Sequence, residues 1–394
     1  MELLIAIVYF LKEMINSNLD LFYILGLFFF IGDLTQKGEV FKTTTRIFLP
    51  VLIYAIFQFF VIDGINVLRL VVNVSKIYLC LFLFSYLRCH YHKLNEKKLC
   101  TYLGIFYTLS IPVVILFKSP FFWRFNDTIN RFSQTRLQLT YFEPSELSFY
   151  ISIFAIYLMY FLLENIHVEA SFIFLISSAL LLILSAGLGG ISILVYALVV
   201  MCCIYFMKSF ELKRIIKIYF LFIALLGVVL YLVESANPLY LRMKEILVGN
   251  DSSAIYRVKI SFEVMKNILE KTKGVGIGFG NLNTQKTLFD FQFSGLITVI
   301  PNSFMYFISE AGIFGLGYLV FFISYVIKHM DRANRILKLP LLVFILTYQI
   351  PGGYFTNPIN WIICGVVCCL YPRPMMELRE EKVAKNHESA SFWP

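Results

Sequence analysis

Ile191-Ser-Ile-Leu-Val-Tyr-Ala-Leu-Val-Val-Met-Cys-Cys-Ile-Tyr-Phe-Met207 runs without one charged residue and carries apolar side chains on every helical face. A helix that is hydrophobic all round has no side for water, so it belongs in a large core or in a bilayer. Composition decides between the two. The chain is 59% hydrophobic and 15% charged, and a soluble fold of this length has no interior large enough for that much apolar surface. Lipid is therefore its solvent.

Similar stretches recur on both sides. A bilayer core of about 30 Å takes around 20 apolar residues per helix. Spans fall near Glu2–Ile15, Leu21–Leu34, Ile47–Ile62, Val67–Leu87, Leu103–Phe117, Leu147–Leu163, Phe172–Ala186, Ile191–Met207, Ile218–Val233, Ile300–Ile327, Leu339–Ile350 and Ile359–Tyr371. The expected fold is all-α, a polytopic transmembrane helical bundle of about twelve helices. Leu341–Ile350, followed by Pro351-Gly352-Gly353, reads as a half-helix pair, since irregular backbone at that depth is tolerated only where protein or a cavity receives it. The organisation is then helices over 1–117, a loop over 118–146, helices over 147–233, a larger loop over 234–299, helices over 300–371 and a polar tail over 372–394.

Short loops set orientation through their Lys/Arg bias. The turns with Lys37, Lys42 and Arg46, with Arg88, Lys93, Lys97 and Lys98, with Lys208, Lys213, Arg214 and Lys217, and with Lys328, Arg332, Arg335 and Lys338 share one side. That side is the expected cytoplasm, holding both termini, with the two long loops on the opposite, periplasmic face. All eight cysteines and all five histidines fall in cytoplasmic turns or cytoplasmic halves of helices. No disulfide framework is implied, and the outer face is expected to hold neither a zinc site nor a Cys/His nucleophile. No metal and no cofactor is expected. Met1-Glu2 lacks a basic leader region, so the start does not read as a cleavable signal peptide.

Both outer loops are rich in cations. The first has Lys118, Arg124, Arg131 and Arg136 against Asp127, Glu143 and Glu146; the second has Arg242, Lys244, Arg257, Lys259, Lys266, Lys271, Lys273 and Lys286. Guanidinium forks suit phosphate oxygens, although lipid headgroup anchoring explains exposed Lys and Arg equally well. Nucleic acid is not expected on this side.

Within the second loop Ile255, Val258, Phe262, Met265 and Leu269 recur at steps of three and four, which predicts an amphipathic helix capped by Ser252 or Ser253. It is expected on the membrane surface or over the bundle. Arg257 sits in its first turn, where helix amides also favour an anion. Gly274-Val-Gly276-Ile-Gly278-Phe-Gly280-Asn281 follows, suited either to close backbone approach to a ligand or to a simple turn.

In Glu143-Pro144-Ser145-Glu146, Pro144 reads as the first helical residue and Glu143 as its cap, so the carboxylates are either functional or favoured by the helix dipole alone. Glu310 is the one acidic residue well inside a clear span. Such a group costs on the order of 3 kcal/mol to insert, so a partner is expected for it.

Arg136 with Glu143-Pro144-Ser145, the Gly187-to-Gly190 hairpin, Arg257 ahead of the glycine run, and Pro301-Asn302-Ser303 with Glu310-Ala-Gly-Ile-Phe-Gly315 occur in that order. This ordered set, over roughly Arg131 to Val320, resembles the O-antigen polymerase and ligase superfamily. Its members are polytopic enzymes that handle undecaprenyl-pyrophosphate-linked glycans at the outer face of the bacterial inner membrane. The resemblance implies a GT-C-like bundle and a glycosyl transfer between a lipid-linked donor glycan and a lipid-linked acceptor, with a partner that sets chain length.

Two departures favour polymerase over ligase. Pro301 stands where ligases of this superfamily typically have a histidine, and Ser185-Ala-Gly-Leu-Gly-Gly190 lacks an arginine often found there. The implied roles put Arg257 and Arg136 on the departing pyrophosphate, with Arg131 and Lys259 assisting. Glu143 is the base that takes the acceptor's proton. Gly276, Gly278, Gly280, Asn281 and Asn302 contact substrate, and Glu310 braces the loop around Asn302. The rival readings are an O-antigen ligase, a lipid-linked oligosaccharide flippase or other transporter, and a noncatalytic scaffold. A transporter is expected to show internal repeats and midplane charges, and no repeat is seen.

Overall fold

The computed structural model describes residues 1–12, 20–35, 38–125, 135–168, 170–208, 238–282, 300–352 and 355–369. The protein is an all-α membrane protein. Seven of its helices are long and apolar enough to cross a membrane: α3 (Glu39–Val61), α4 (Val67–His90), α5 (Glu96–Leu116), α6 (Pro144–Leu163), α8 (Leu188–Lys208), α12 (Ser303–His329) and α13 (Arg335–Gly352). Three shorter apolar helices accompany them, α2 (Leu21–Thr35), α7 (Ser171–Ser185) and α14 (Pro358–Cys368), while α1 (Glu2–Phe10) is shorter still. The second loop carries α9 (Pro238–Val248), α10 (Ser252–Ile255) and α11 (Ser261–Lys271), and the first carries a minimal antiparallel pair, β1 (Trp123–Arg124) and β2 (Arg136–Leu137). The span expected at Ile218–Val233 lies outside the described residues.

Several helices begin earlier than hydropathy indicates, for reasons of local hydrogen bonding. In α3 the hydroxyls of Thr43, Thr44 and Thr45 donate back to the carbonyls of Glu39, Val40 and Phe41, so polar residues continue the helix out of the apolar region. In α5 the Asn95 side chain accepts from the Lys98 amide at 3.1 Å and starts the helix at Glu96. The half-helix pair expected at Leu341–Ile350 is replaced by one continuous helix, α13, which holds Pro340 and Pro351 within it.

Contacts between turns sort them onto two ends of the bundle. At one end the Asn95 amide donates to Glu2 (3.0 Å), Lys208 meets Glu164 (3.3 Å) and the buried Lys338 meets Asp331 (2.9 Å). At the other, Lys12 meets Asp20 and Glu146, and the Asn66 amide donates to Asn281. This second end, the loop end, gathers the described parts of both long loops.

α6 is the central post of the bundle. Nearly every side chain from Leu147 to Leu163 is buried, against α8, α7 and α13. Its close fit to α8 depends on two glycines. A Cβ on Gly187 or Gly190 would stand 2.2 or 2.4 Å from the Ser148 hydroxyl, so only glycine admits this approach. Outward-facing Phe28, Phe60, Leu68, Leu116 and Phe172 form the apolar exterior expected of a lipid-facing bundle.

Candidate functional site

The start of α6 organises the loop end. Pro144 supplies a fixed φ at the first helical position, and Glu143 is the flanking residue, as the sequence predicts. The Glu143 carboxylate makes no capping bond to the helix. It accepts from the Ser145 hydroxyl at 3.0 Å and faces Arg124 at 3.6 Å, about half exposed. Beside them an open groove of ≈ 620 Å³ is lined by Phe121, Trp123, Arg124, Gln138, Tyr141 and Phe142, among others. Tyr141 on its floor is no base: burial pushes its hydroxyl well above the usual tyrosine value, and it donates to the Tyr9 carbonyl at 2.9 Å.

Glu146 has more than the helix dipole to hold it. Its carboxylate is ion-paired with Lys12, which is 2% exposed, also meets Asp20 at 3.5 Å, and stands 5.2 Å from the centre of the Tyr150 ring. Burial pushes the Asp20 carboxyl above the usual aspartate range, against the opposing pull of Lys12 and of the Phe22 amide, which donates to it at 2.8 Å. From α13, the Tyr348 hydroxyl donates to the Ser145 carbonyl at 3.0 Å. Glu146, Arg257, Glu143 and Lys12 are the charges in electrostatic range of that hydroxyl.

Arg257 reaches this place on a widened turn. Residues Tyr256–Ile260 form a π-helical segment between α10 and α11, in which the Ser261 amide and hydroxyl both bond to the Tyr256 carbonyl, and the segment packs on α13. Such single-turn bulges re-aim one side chain without ending the helix. The expected first-turn position of Arg257 is thus a second-turn one, and the cap is Asp251, whose side chain accepts from the Ala254 amide at 2.7 Å, rather than Ser252 or Ser253. Arg257 is half-buried, and its guanidinium makes no hydrogen bond or ion pair among the described residues. Lys259, two residues on, is exposed.

No protein-family model and no curated protein matches the chain at a significant level.

The remaining residues singled out from sequence occupy definite places. Arg136 closes the C-terminus of α7, its guanidinium donating to the carbonyls of Ser185 and Ala186, each at 3.1 Å. Lys and Arg at that position satisfy orphan carbonyls and favour the negative end of the helix dipole. Here the bonds fix the Gly187-to-Gly190 hairpin. Arg131 lies outside the described residues.

Gly276 and Gly280 do permit a close backbone approach, to α12 and α4 respectively, while a Cβ on Gly278 would meet the Ile65 side chain. Gly312 in α12 has φ 61° and ψ −151°, which breaks the helix and frees its preceding carbonyls. The Ile277 and Gly278 amides donate to Ser309 and Glu310 carbonyls (3.1 and 3.0 Å), and the Ile313 amide donates to the Gly274 carbonyl (2.9 Å). A Cβ on Gly276 would lie 2.6 Å from the Glu310 carbonyl oxygen, and one on Gly280 2.5 Å from that of Arg69. Asn281 accepts from the Asn66 amide at 2.8 Å and donates to the Phe279 carbonyl at 3.0 Å.

The glycine segment is thereby tucked between α3, α4 and α12, with polar side chains meeting its backbone. Gln58 donates to the carbonyls of Val275 and Glu310, and Tyr54 also donates to that of Val275. The Glu310 carboxylate has the partners its depth demands: the Asn73 amide at 2.9 Å, the Tyr306 hydroxyl and the Gly280 and Leu282 amides. It braces the end of the glycine segment rather than the turn at Asn302. Asn302 caps α12, its buried side chain accepting from the Met305 amide at 3.1 Å.

Lys12, Tyr348, Gln58 and Asn73 were not singled out from sequence. A signal for Lys12 existed: a lysine inside the first apolar stretch is costly there and asks for a carboxylate. Gln58 and Asn73 were equally visible as amides within apolar runs. Tyr348 gives no sign, being one of 24 tyrosines.

Proposed function

We propose that the protein polymerises lipid-pyrophosphate-linked oligosaccharide repeat units, as an O-antigen or related surface-polysaccharide polymerase in the bacterial inner membrane. In this reading the loop end faces the periplasm, both termini are cytoplasmic, and the bundle is GT-C-like with about twelve spans. The observation that carries the reading is Arg257: a half-buried guanidinium without a partner among the described residues, on a π-helical turn packed against α13 and in electrostatic range of the Tyr348 hydroxyl. A fixed cation left unpaired in such a place suits an anionic ligand, and planar forks suit phosphate oxygens.

The chemistry needs few parts. A hydroxyl of the acceptor unit attacks the anomeric carbon of the donor chain, the bond from that carbon to the pyrophosphate oxygen breaks, and the hydroxyl proton is taken by a base. Arg257 meets the charge that grows on the departing pyrophosphate, where a preorganised donor acts most strongly. Glu143, half-exposed and beside the groove that gives sugars room, takes the proton. Arg136 serves by holding the Gly187 hairpin against α6. Donor and acceptor are both lipid-linked glycans.

The test is glycan ladder formation in cells lacking the native gene and carrying wild type, Arg257→Ala, Arg257→Lys or Arg136→Ala at matched membrane levels. Arg257→Ala is expected to abolish the ladder while single repeat units still reach the surface, and Arg257→Lys to restore part of it. Loss of all surface glycan points instead to export or ligation. An unchanged ladder with Arg257→Ala refutes the assignment.

A further inference from the structure

The first part of the amphipathic stripe read from sequence faces away from the protein, while its last two members, Met265 and Leu269, are partly buried. Ile255, Val258 and Phe262 are exposed, at 38%, 52% and 50%. The contacts of α11 with the bundle come from its other side, through Val264 and Ile268, which pack with Ile277, Leu282 and Ile300 near Met305 and Tyr306. The helix therefore has two apolar sides, and the described protein covers only one.

α9, just before it, is more exposed still. None of its described side chains is buried, and Met243, Ile246 and Leu247, spaced to share one face, are all open. An isolated helix shorter than about 12 residues is marginal in water, because helical stability comes mainly from packing of an amphipathic face. Something apolar must cover these residues if α9 is to persist.

We infer that α9 and the outward face of α10–α11 lie in the interface of the loop-end leaflet, covered by phospholipid. Three features favour lipid over another protein chain. Lys259 follows Ile255 by four residues, one turn along the same face, Lys266 follows Phe262 likewise and shares its ammonium with Glu270 at 3.7 Å, and Lys244 is exposed on α9, an arrangement that lets ammonium groups reach lipid phosphates above a buried apolar stripe. The surface is also continuous with the lipid-facing exterior. The chain leaving α11 at Gly274 abuts Ile313, which is 65% exposed on the same outward row of α12 as Leu316 and Val320. Finally, the stripe is a narrow line of scattered aliphatics without the aromatic anchors that mark protein interfaces, Phe262 apart.

The consequence concerns substrate class. Arg257 lies between Ile255 and Val258 on the same helix, so anchoring this helix in the interface sets the guanidinium at headgroup depth. The anion it meets there is one carried by a lipid, rather than a soluble sugar nucleotide. This last step rests on the polymerase reading; the membrane contact itself does not.

The photoreactive residue p-benzoylphenylalanine, placed at Phe262, Leu247 or, as a lipid-facing control on α3, Phe60, tests the contact in native membranes. These side chains are exposed, so the substitutions leave the packed interior intact. Illumination is expected to add the mass of one phospholipid at all three sites. Lipid adducts at Phe60 with none at Phe262 and Leu247 overturn the proposal, as does cross-linking of the two loop sites to a second copy or another protein. The ladder assay run on the same strains separates the two ideas: lipid adducts without polymer-forming activity in the wild type sink the polymerase reading alone, and working polymerisation without loop adducts sinks this one alone.

Discussion

The hydroxyl of Tyr348, in the last turns of α13, donates to the carbonyl of Ser145 in the first turn of α6 at 3.0 Å. One bond thus joins the two helices whose loop ends carry the candidate site, and it does so between Glu143 and Glu146. The same ring packs on Phe149 at 4.2 Å, so its place is fixed by apolar contact as well.

Tyr348→Phe separates these roles. The ring contact survives, and the Ser145 carbonyl keeps the Ser148 hydroxyl at 2.7 Å as a donor. Loss of one such bond costs about 1 kcal/mol, so the melting temperature in detergent is expected to fall only slightly. Ladder formation is expected to fall much more, because the hydroxyl stands among the charges of the site. Equal and small losses in both measurements would make Tyr348 purely structural.

Gly312 and Gly276 meet back to back, and a side chain at either collides with backbone. A Cβ on Gly312 would stand 2.0 Å from the Gly274 carbonyl oxygen, in a conformation, φ 61° and ψ −151°, that only glycine adopts readily. Gly312→Ala is expected to lower the amount of folded protein recovered from membranes severely. Gly317→Ala, on the same helix with open space around it, is expected to be silent. Comparable yields from the two variants would show that the break in α12 is not required.

Seven of the expected spans were legible in the sequence because lipid leaves a strong and simple signature, an apolar run on all faces, while the first, expected over Glu2–Ile15, is a helix of only nine residues, Glu2–Phe10, among the described residues. Helix starts were less so: polar turns such as Thr43-Thr44-Thr45 look like loops until their hydroxyls are seen bonding back into the helix. For Arg257 the sequence placed a cation on an amphipathic helix, but not the π turn that aims it at α13. The glycine run showed that some backbone must approach closely, without showing which. Lys12 stood out as a lysine in an apolar stretch, but its partner was hidden by distance: Glu146 lies 134 residues away, and no local pattern links them.

Lys12 is wholly buried between two carboxylates, Glu146 and Asp20, so removing the lysine withdraws the cation from both, while removing Glu146 leaves Lys12 the Asp20 carboxylate at 3.5 Å. Lys12→Met is expected to cost about 3–5 kcal/mol, the usual consequence of breaking a buried ion pair from one side, and Glu146→Gln less, because Asp20 still faces Lys12. The double variant Lys12→Met with Glu146→Gln is expected to be more stable than the sum of the singles implies. Thermal unfolding in detergent across the four proteins measures the coupling, and strictly additive losses would mean that the two charges stabilise the fold independently.

Asp20 gives the same cluster a pH dependence of predictable sign. Its carboxyl is held above the ordinary value of 3.8, chiefly by burial, so the folded chain binds that proton more tightly than the unfolded chain does. The group therefore contributes most to stability below its ordinary value and progressively less as pH rises through the raised folded one. Asp20→Asn keeps an acceptor for the Phe22 amide and removes the titration. Plotted between about pH 4 and pH 7, the melting temperature of wild type minus that of Asp20→Asn is expected to decline with rising pH, as linkage requires. A difference that stays flat across that interval would show that Lys12 already holds Asp20 ionised throughout, and a rising one that the ion pair outweighs burial.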